Sequence, residues 1–219
     1  MSACLAVPFT PWPPEKLSGI LDKCELHRPW YSDQLWDDVA IRRQATIAYL
    51  VDASSNGKLW EVHRDGDIVG LLMLNELTPF VSGRAHMIFF DSKLSDKFNL
   101  CIRMMQTAFD TIPLEVIRVE VPDYAKALLK YVRKLGFRYE GESRIFKWPA
   151  NAEPLSADVA KLGSRKYRSI LYQGEWSDAL LLSVTREEFV AHVREHYGRS
   201  FDQQNPEQHD GAAAVADRA

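Results

Sequence analysis

The amino-acid sequence predicts an α/β fold in which helices cover both faces of a mixed, mainly antiparallel central sheet. The turn Asp65-Gly66-Asp67 indicates a β-hairpin, because Asp-Gly between two β-rich runs is a strong hairpin signal. The apolar run AHMIFF, 85–90, and the alternating run EVIRVEV, 115–121, indicate two further strands. An amphipathic helix is expected at 95–112, and its length suits a right-handed crossover, so these two strands should be parallel.

The segments before the hairpin are predicted to be helical. The chain opens with a proline-rich stretch, which we expect to be an irregular lead-in. Residues 15–27 and 32–50 carry apolar side chains at helical spacing, and Ser32 is a candidate N-cap of the second helix. Asn56-Gly57 marks a turn, and the run from 68 to 74 is apolar on both faces, which favours a central strand.

The second half of the chain contains further elements of both types. A helix is expected over 124–135 with Gly136 as its C-terminal stop, followed by the strand FRYEGESRIFKW. The runs RSILY and ALLLSV are strand-like, and Thr185 can cap a final helix. We therefore expect a lead-in with a helix over 1–30, one domain over 31–200 with an insertion at about 149–166, and a disordered tail over 201–219.

Composition restricts the classes of function. The 219 residues carry a net charge of −3, which argues against broad nucleic-acid binding. Cys4, Cys24 and Cys101 are widely spaced with no CxxC pair, so neither a zinc site nor another metal site is expected, and reduced thiols in a cytoplasmic compartment are the simplest interpretation. No signal peptide and no apolar run of membrane-spanning length are seen, so no membrane partner is expected.

Two local motifs carry a resemblance to a known family. KLGFRYEGESR, 134–144, resembles the stretch that ends the fourth helix and begins the next strand of GNAT acetyltransferases. GEWSDALLLSVTREEF, 174–189, resembles the ending of the branch that acetylates ribosomal-protein N-termini and of similar phage-encoded proteins. The resemblance covers roughly 35–190. It implies a splayed parallel strand pair with acetyl-CoA between the strands, transfer of an acetyl group to an amine, and a location in the cytoplasm, or in the host cytoplasm if the chain is phage-encoded.

The resemblance also implies positions for the cofactor. The thioester carbonyl would accept a hydrogen bond from backbone amides at Ile88, Phe89 and Phe90. The pyrophosphate would lie on the stretch DSKLSDKFN, 91–99, which lacks the glycines that the family usually places there.

Within that stretch two interpretations stay open. Ser95 and Lys97 can form a rebuilt pyrophosphate loop with backbone amides, or Ser95 simply caps the helix. Asp91 and Asp96 place negative charge where the pyrophosphate would bind. The asparagine with which the family often holds the CoA arm falls at Ala125, and Asp123 is near this position but displaced from it.

The catalytic positions also depart from the family pattern. The tyrosine that protonates the leaving thiolate falls at Val132, and the neighbouring Tyr131 lies about 100° round the helix, so it is the candidate acid only if the helix is rotated. Glu76 is the candidate base, and a solvated strand end is the alternative. His86 lies in an apolar run and is expected to be a hydrogen-bonded core histidine.

Two functions therefore remain open. One is an acyl-CoA-dependent N-acyltransferase, whose acceptor amine the sequence does not identify. The other is a catalytically inactive relative kept as a structural or interaction protein, with a possible partner surface at the aromatic N-terminal segment around Trp12 and Trp30. The basic stretch KLGSRKYR, 161–168, is interpreted as a solvated loop in the insertion or as a contact for an acidic ligand.

Overall fold

A computed structural model describes residues 5–8, 11–27, 38–91, 96–140, 161–172 and 175–202. The strands are β1 Leu5–Pro8, β2 Lys58–Arg64, β3 Asp67–Thr78, β4 Ser82–Phe89, β5 Val116–Pro122, β6 Arg138–Tyr139, β7 Arg165–Tyr172 and β8 Glu175–Thr185. The helices are α1 Pro14–His27, α2 Val39–Ser55, α3 Lys97–Thr111, α4 Lys126–Lys134 and α5 Arg186–Asp202. Ser32, Ser95, most of the predicted strand after Tyr139 and the expected tail beyond Asp202 lie outside the described residues.

The strands form one mixed sheet, as predicted. Its order is β1-β2-β3-β4-β5-β8-β6, and β7 also pairs with β8. The pairing of β4 with β5 is parallel, and the other described pairings are antiparallel. Helix α3 makes the crossover between the two parallel strands.

The two parallel strands separate soon after they meet. Their pairing consists of Ser82 with Val116, Gly83 with Ile117 and Arg84 with Arg118. Beyond Arg84, β4 continues along β3 as far as Phe89, while β5 continues along β8. The predicted parallel pair is confirmed, and its carboxyl ends border a gap in the sheet.

The two faces of the sheet have separate hydrophobic cores. Alternating residues of β4 such as Ala85 and Met87 pack with α3, α4 and α5 on one face. Ile88 and Phe90 belong to the opposite face, where α1 and α2 contribute Ile20 and Leu50 among others. We call the first the α3 face and the second the α1–α2 face.

Short-range signals explain several of the observed boundaries. Asp65 and Gly66 both have positive φ angles, 55° and 89°, which is the geometry of a type I′ hairpin turn. Thr185 caps α5 as predicted: its hydroxyl accepts from the Glu188 amide at 3.2 Å, and the Glu188 carboxylate accepts from the Thr185 amide at 3.1 Å. These reciprocal bonds form a capping box.

Three expectations about local structure were wrong. The predicted irregular lead-in contains β1, an edge strand paired with β2, where its terminal Pro8 is tolerated. Helix α2 begins at Val39, because the Asp38 carboxylate accepts from the Ile41 amide at 3.0 Å. The basic stretch at 165–168 lies in β7 rather than in a loop of the insertion.

The N-terminal segment is tied to the sheet through a buried carboxylate. Trp12 Nε1 donates to Glu61 Oε1 at 2.5 Å, and Lys16 Nζ lies 3.0 Å from Glu61 Oε2. Burial by itself raises the pKa of Glu61, but hydrogen bonds from Trp12, Lys16 and His63 bring it below its ordinary value. Trp12 therefore contributes to internal packing, whereas Trp30, the other aromatic residue proposed for a partner surface, lies outside the described residues.

The turn between α2 and β2 gives a direct test of the fold. A Cβ added at Gly57 would lie 2.2 Å from the carbonyl oxygen of Leu74 and 2.9 Å from that of Ala53. Because both atoms belong to the backbone, we expect Gly57→Ala to reduce the free energy of unfolding by at least about 2 kcal/mol in urea denaturation. The matched variant is Gly19→Ala in α1, where the added methyl group meets nothing within 4 Å, and it should raise stability by about 0.5–1 kcal/mol. Equal effects of the two substitutions would contradict the described packing of α2 on β3.

Candidate functional site

The gap between β4 and β5 is lined by backbone groups of β4. The Phe90 amide donates to the Val69 carbonyl at 2.8 Å, so it points toward β3. Successive residues of a strand direct their amides to opposite edges, and Ile88 therefore also faces β3. The amides of Met87 and Phe89 point toward the gap. The expectation that Ile88 and Phe90 polarise a thioester is corrected: of the three predicted residues only Phe89 has the required direction, and Met87 takes the second position.

Tyr131 lies on the α3 face of the gap. Its hydroxyl donates to Cys101 Sγ at 3.4 Å, and Cys101 Sγ lies 2.9 Å from Met87 Sδ. The ring meets Phe98 edge to face, with a centroid distance of 5.9 Å. Tyr131 is thus separated from Met87, on the strand that borders the gap, by the Cys101 side chain. Val132, which occupies the family position of the tyrosine, is buried in the core.

Burial keeps both groups of this contact protonated. It raises the pKa of Tyr131 above its ordinary value, and the neighbouring Cys101 adds to the effect. Burial also raises the pKa of Cys101 to about 12, against the opposing effects of the Tyr131 hydrogen bond and of Lys97. Tyr131 therefore carries its proton at physiological pH, and Cys101 is a thiol rather than a thiolate.

The N-terminus of α3 borders the outer end of the gap. Lys97 is its first residue, and the Lys97 ammonium lies 5.6 Å from the centre of the Phe89 ring. The Asp96 side chain makes no capping hydrogen bond and instead accepts from Asn99 Nδ2 at 2.8 Å. The helix amides and one lysine are thus directed toward this end, while Ser95, the other predicted phosphate contact, lies outside the described residues.

The negative charges near this end are partly compensated. Asp91 forms an ion pair with Arg64 at 2.6 Å. This pairing weakens the repulsion that the sequence predicts between Asp91 and a bound pyrophosphate.

Asp123 is held by neighbours on β7 and β8. Arg165 lies 2.6 Å from its carboxylate, and the Ser177 hydroxyl lies 3.4 Å from it. Arg165 also reaches Asp178 at 3.3 Å. These contacts fasten the turn between β5 and α4 to the β7–β8 hairpin, so the carboxylate predicted to hold the CoA arm is engaged within the protein.

A charged pocket lies on the α1–α2 side of the sheet, where β4, β5 and β7 approach one another. Its volume is about 230 Å³. Arg84 Nη2 lies 2.9 Å from Glu120 Oε2, and Lys166 pairs with the other oxygen of Glu120. The ion pair of Arg118 with Glu140, at 3.0 Å, lies in the same pocket.

Glu76 lies at the edge of this pocket on a β-bulge of β3. Its φ angle is 49°, and the register with β4 shifts between Asn75 and Thr78. The carboxylate accepts from Arg84 at 2.8 Å, and the side chain is 63% exposed. The predicted base is therefore an exposed, ion-paired group, located before the point at which β4 and β5 separate.

A partly buried polar cluster that the sequence did not reveal adjoins the pocket through Arg84. It consists of Tyr49 on α2, Asn75 on β3 and His86 on β4. Asn75 Nδ2 donates to the Tyr49 hydroxyl at 3.2 Å, and the rings of Tyr49 and His86 meet edge to face at 5.6 Å. Among the described residues, neither Asn75 Oδ1 nor His86 Nε2 has a hydrogen-bond partner. The expectation of a hydrogen-bonded core histidine is thus not met at Nε2.

Neither a metal-ligand cluster nor a membrane-spanning helix is found among the described residues. No group of three or more His, Cys, Asp or Glu residues there is arranged to hold a metal ion. Within the same ranges, no helix has both the length and the apolar character needed to cross a bilayer.

Known proteins were compared with the chain by sequence and by structure. No family model and no curated protein matches the sequence. Solved structures do match. Spermidine N-acetyltransferase from Vibrio cholerae in complex with CoA and spermine has a TM-score of 0.59 and 12% identity, and the match covers 85% of this chain and 98% of that one. A dodecameric structure of the same enzyme in an intermediate state has a TM-score of 0.57 at 11% identity, covering 89% and 97%.

A mutant form of spermidine/spermine N-acetyltransferase from the same organism gives a TM-score of 0.60 at 12% identity, covering 87% of this chain and 98% of that one. At this level of identity the likeness concerns the fold. The chain therefore has the mixed α/β fold of the GNAT acetyltransferases that its two motifs resemble.

Proposed function

We propose that this protein is an acyl-CoA-dependent N-acyltransferase that transfers an acetyl group to an amine. The observation that carries the proposal is the gap between β4 and β5, into which the amides of Met87 and Phe89 point. Such amides can hydrogen-bond a thioester carbonyl and stabilise the oxyanion that forms when an amine attacks it. The solved acetyltransferase that shares this fold was crystallised with CoA, which supports the same cofactor here.

The surroundings of the gap suit the other parts of acetyl-CoA. Lys97 begins α3 and lies against Phe89, which supports binding of the pyrophosphate by Lys97 and the N-terminal amides of this helix. Tyr131 is a protonated hydroxyl close to Met87 on the α3 face, so we assign it the role of acid toward the leaving thiolate.

The acceptor amine would enter from the opposite face through the charged pocket. The pocket is lined by three carboxylates and three cations: Glu76, Glu120, Glu140, Arg84, Arg118 and Lys166. This balance gives no excess of negative charge, so it does not favour a polycation such as the spermine bound to the solved relative. A monoamine such as a peptide N-terminus fits the pocket better, in keeping with the motif at 174–189 that resembles ribosomal-protein N-acetyltransferases and phage-encoded relatives. A cytoplasmic location is part of the same proposal.

One alternative rests on two contacts. The Tyr131 hydroxyl is bonded to Cys101, and the Asp123 carboxylate is bonded to Arg165, so two predicted site residues are engaged internally. A catalytically inactive relative that acts through protein contacts would retain such contacts as packing. The two functions are distinguished by whether the protein binds acetyl-CoA.

Acetyl-CoA should stabilise the purified protein by mass action, by about 2.7 kcal/mol at a hundredfold excess over its dissociation constant. Lys97→Glu should weaken this effect, because it places a negative charge beside the pyrophosphate. The matched variant Lys58→Glu makes the same charge change at an exposed position at the start of β2 and should leave the effect intact. Thermal unfolding monitored against acetyl-CoA concentration measures the difference. The absence of any stabilisation at millimolar acetyl-CoA would leave the interaction protein as the surviving function.

Loss of the Tyr131 hydroxyl should slow transfer without weakening cofactor binding. We expect Tyr131→Phe to lower kcat by at least about a hundredfold, the lower end of the typical range for general acids. Tyr197→Phe is the control, since Tyr197 packs on the same Phe98 ring at 5.2 Å but is not assigned a role in transfer. The rate of CoA release and the acetyl-CoA-dependent shift in melting temperature are both measured. Equal kcat values for the two variants would remove Tyr131 from the mechanism.

A further inference from the structure

His86 occupies the point at which the sheet opens. Arg84 is the last β4 residue that pairs with β5, and His86 is the next residue whose side chain lies on the same face. That face is the α1–α2 face, since the His86 ring contacts Tyr49 of α2. His86 therefore flanks the gap on the side opposite to Tyr131, and the adjacent Met87 amide points into the gap.

The cluster around His86 contains two buried polar atoms that have no hydrogen-bond partner among the described residues. Asn75 is only 4% exposed, and its amide nitrogen is used by Tyr49. Asn75 Oδ1 and His86 Nε2 are both buried, and neither has a partner among the described residues. Buried polar atoms are nearly always hydrogen-bonded in folded proteins, so the two unpartnered atoms in this group of three side chains are the observation that directs attention to it as a binding site.

The charge state of His86 limits the kind of molecule. Burial, with a contribution from the Arg84 guanidinium, lowers the pKa of His86 to about 4. The Tyr49 ring contacts His86, Asn75 is hydrogen-bonded to that same tyrosine, and the cationic Arg84 acts on His86 electrostatically. At physiological pH the imidazole is neutral and keeps a lone pair, and the nearby guanidinium disfavours an ammonium ion. A neutral amine that donates N–H bonds meets both requirements.

We propose that Asn75 and His86 form the acceptor subsite, in which Asn75 Oδ1 accepts a hydrogen bond from the amine nitrogen and His86 Nε2 removes its proton during transfer. The proposal rests on the proposed acyltransferase function and adds a catalytic residue to it. Glu76 is less suited to this role, because it is exposed, bound to Arg84, and lies beside Gly83, before the gap opens.

The step balances as an ordinary aminolysis. The amine enters as the free base, and its nitrogen forms a bond to the thioester carbonyl carbon. The C–S bond breaks, and its electron pair leaves on the sulfur of CoA. The nitrogen loses one proton to His86 Nε2, the thiolate gains one from Tyr131, and water carries the His86 proton back to restore Tyr131. The products are the N-acetylated amine and CoA.

Hydroxylamine is a suitable probe, because it is a small amine that is uncharged at neutral pH. With acetyl-CoA as donor, we expect His86→Gln to lower kcat for CoA release by at least about a hundredfold, the lower bound for a general base. Glu76→Gln should lower kcat by less than about tenfold, because Glu76 lines the pocket but is not the group that takes the proton. His196→Gln on α5, a partly exposed histidine away from the gap, should behave as wild type. Asn75→Leu should raise KM for hydroxylamine more than it lowers kcat.

Folding and cofactor binding are checked separately. Each variant should still be stabilised by acetyl-CoA, which shows that a lower kcat does not result from unfolding or from loss of cofactor binding. In protein labelled with ¹⁵N-histidine, hydroxylamine should shift the His86 Nε2 resonance of the wild type.

The assignment of the base would be overturned by a His86→Gln variant that retains more than about a tenth of the wild-type kcat, or by a Glu76→Gln variant that retains less than about a tenth of it. If acetyl-CoA stabilises the wild type but hydroxylamine neither accepts the acetyl group nor shifts the His86 resonance, the subsite is wrong and a bound water satisfies the two atoms. If acetyl-CoA does not bind at all, the proposed function fails instead.

Discussion

The early separation of β4 from β5 is the constraint on which the candidate site depends. Parallel pairing lasts for three residue pairs, after which β4 is held by β3 and β5 is held by β8. The edge of β4 that faced β5 then presents backbone amides to a gap rather than to a strand. Because each strand is fixed by its other neighbour, the gap is part of the sheet.

The same separation divides the site between two faces. Side chains that alternate along β4 place Met87 and Phe89 with α3 and α4, and His86 with α1 and α2. The protonated Tyr131 is therefore on one side of the gap, and the charged pocket with the Asn75–His86 cluster is on the other. A thioester lying in the gap would meet an acid at its sulfur from one face and a nucleophile from the other.

Local signals in the sequence predicted much of the fold. Asp65-Gly66 indicated the hairpin because both residues can adopt positive φ angles, and Thr185 indicated the start of α5 through its cap. Strand β1 was missed because a short edge strand within a proline-rich stretch has no apolar alternation of its own and depends on β2 for its pairing. The start of α2 is set by the Asp38 cap, whereas the sequence offered Ser32 as a candidate cap with no local signal to decide between the two.

The site could be predicted only in part. Its place at the parallel pair followed from the motif order, but the residues that face the gap depend on which edge of β4 each amide points to. The hydrogen bond from the Phe90 amide to the Val69 carbonyl shows which amides face β3 and which face the gap. The residue types in the run 85–90 do not indicate this choice. The position of Asn75 and His86 on the same face, each in contact with Tyr49, likewise depends on the register between β3 and β4.

The most direct test of this account is the response of backbone amides to the cofactor. In ¹⁵N-labelled protein titrated with acetyl-CoA, the amide resonances of Met87 and Phe89 should shift strongly, because they form new hydrogen bonds in the gap. The Phe90 amide, which already donates to Val69, should shift little. Large shifts at Phe90 with none at Met87 and Phe89, or no shift at any of the three, would contradict the assignment of the gap as the thioester site.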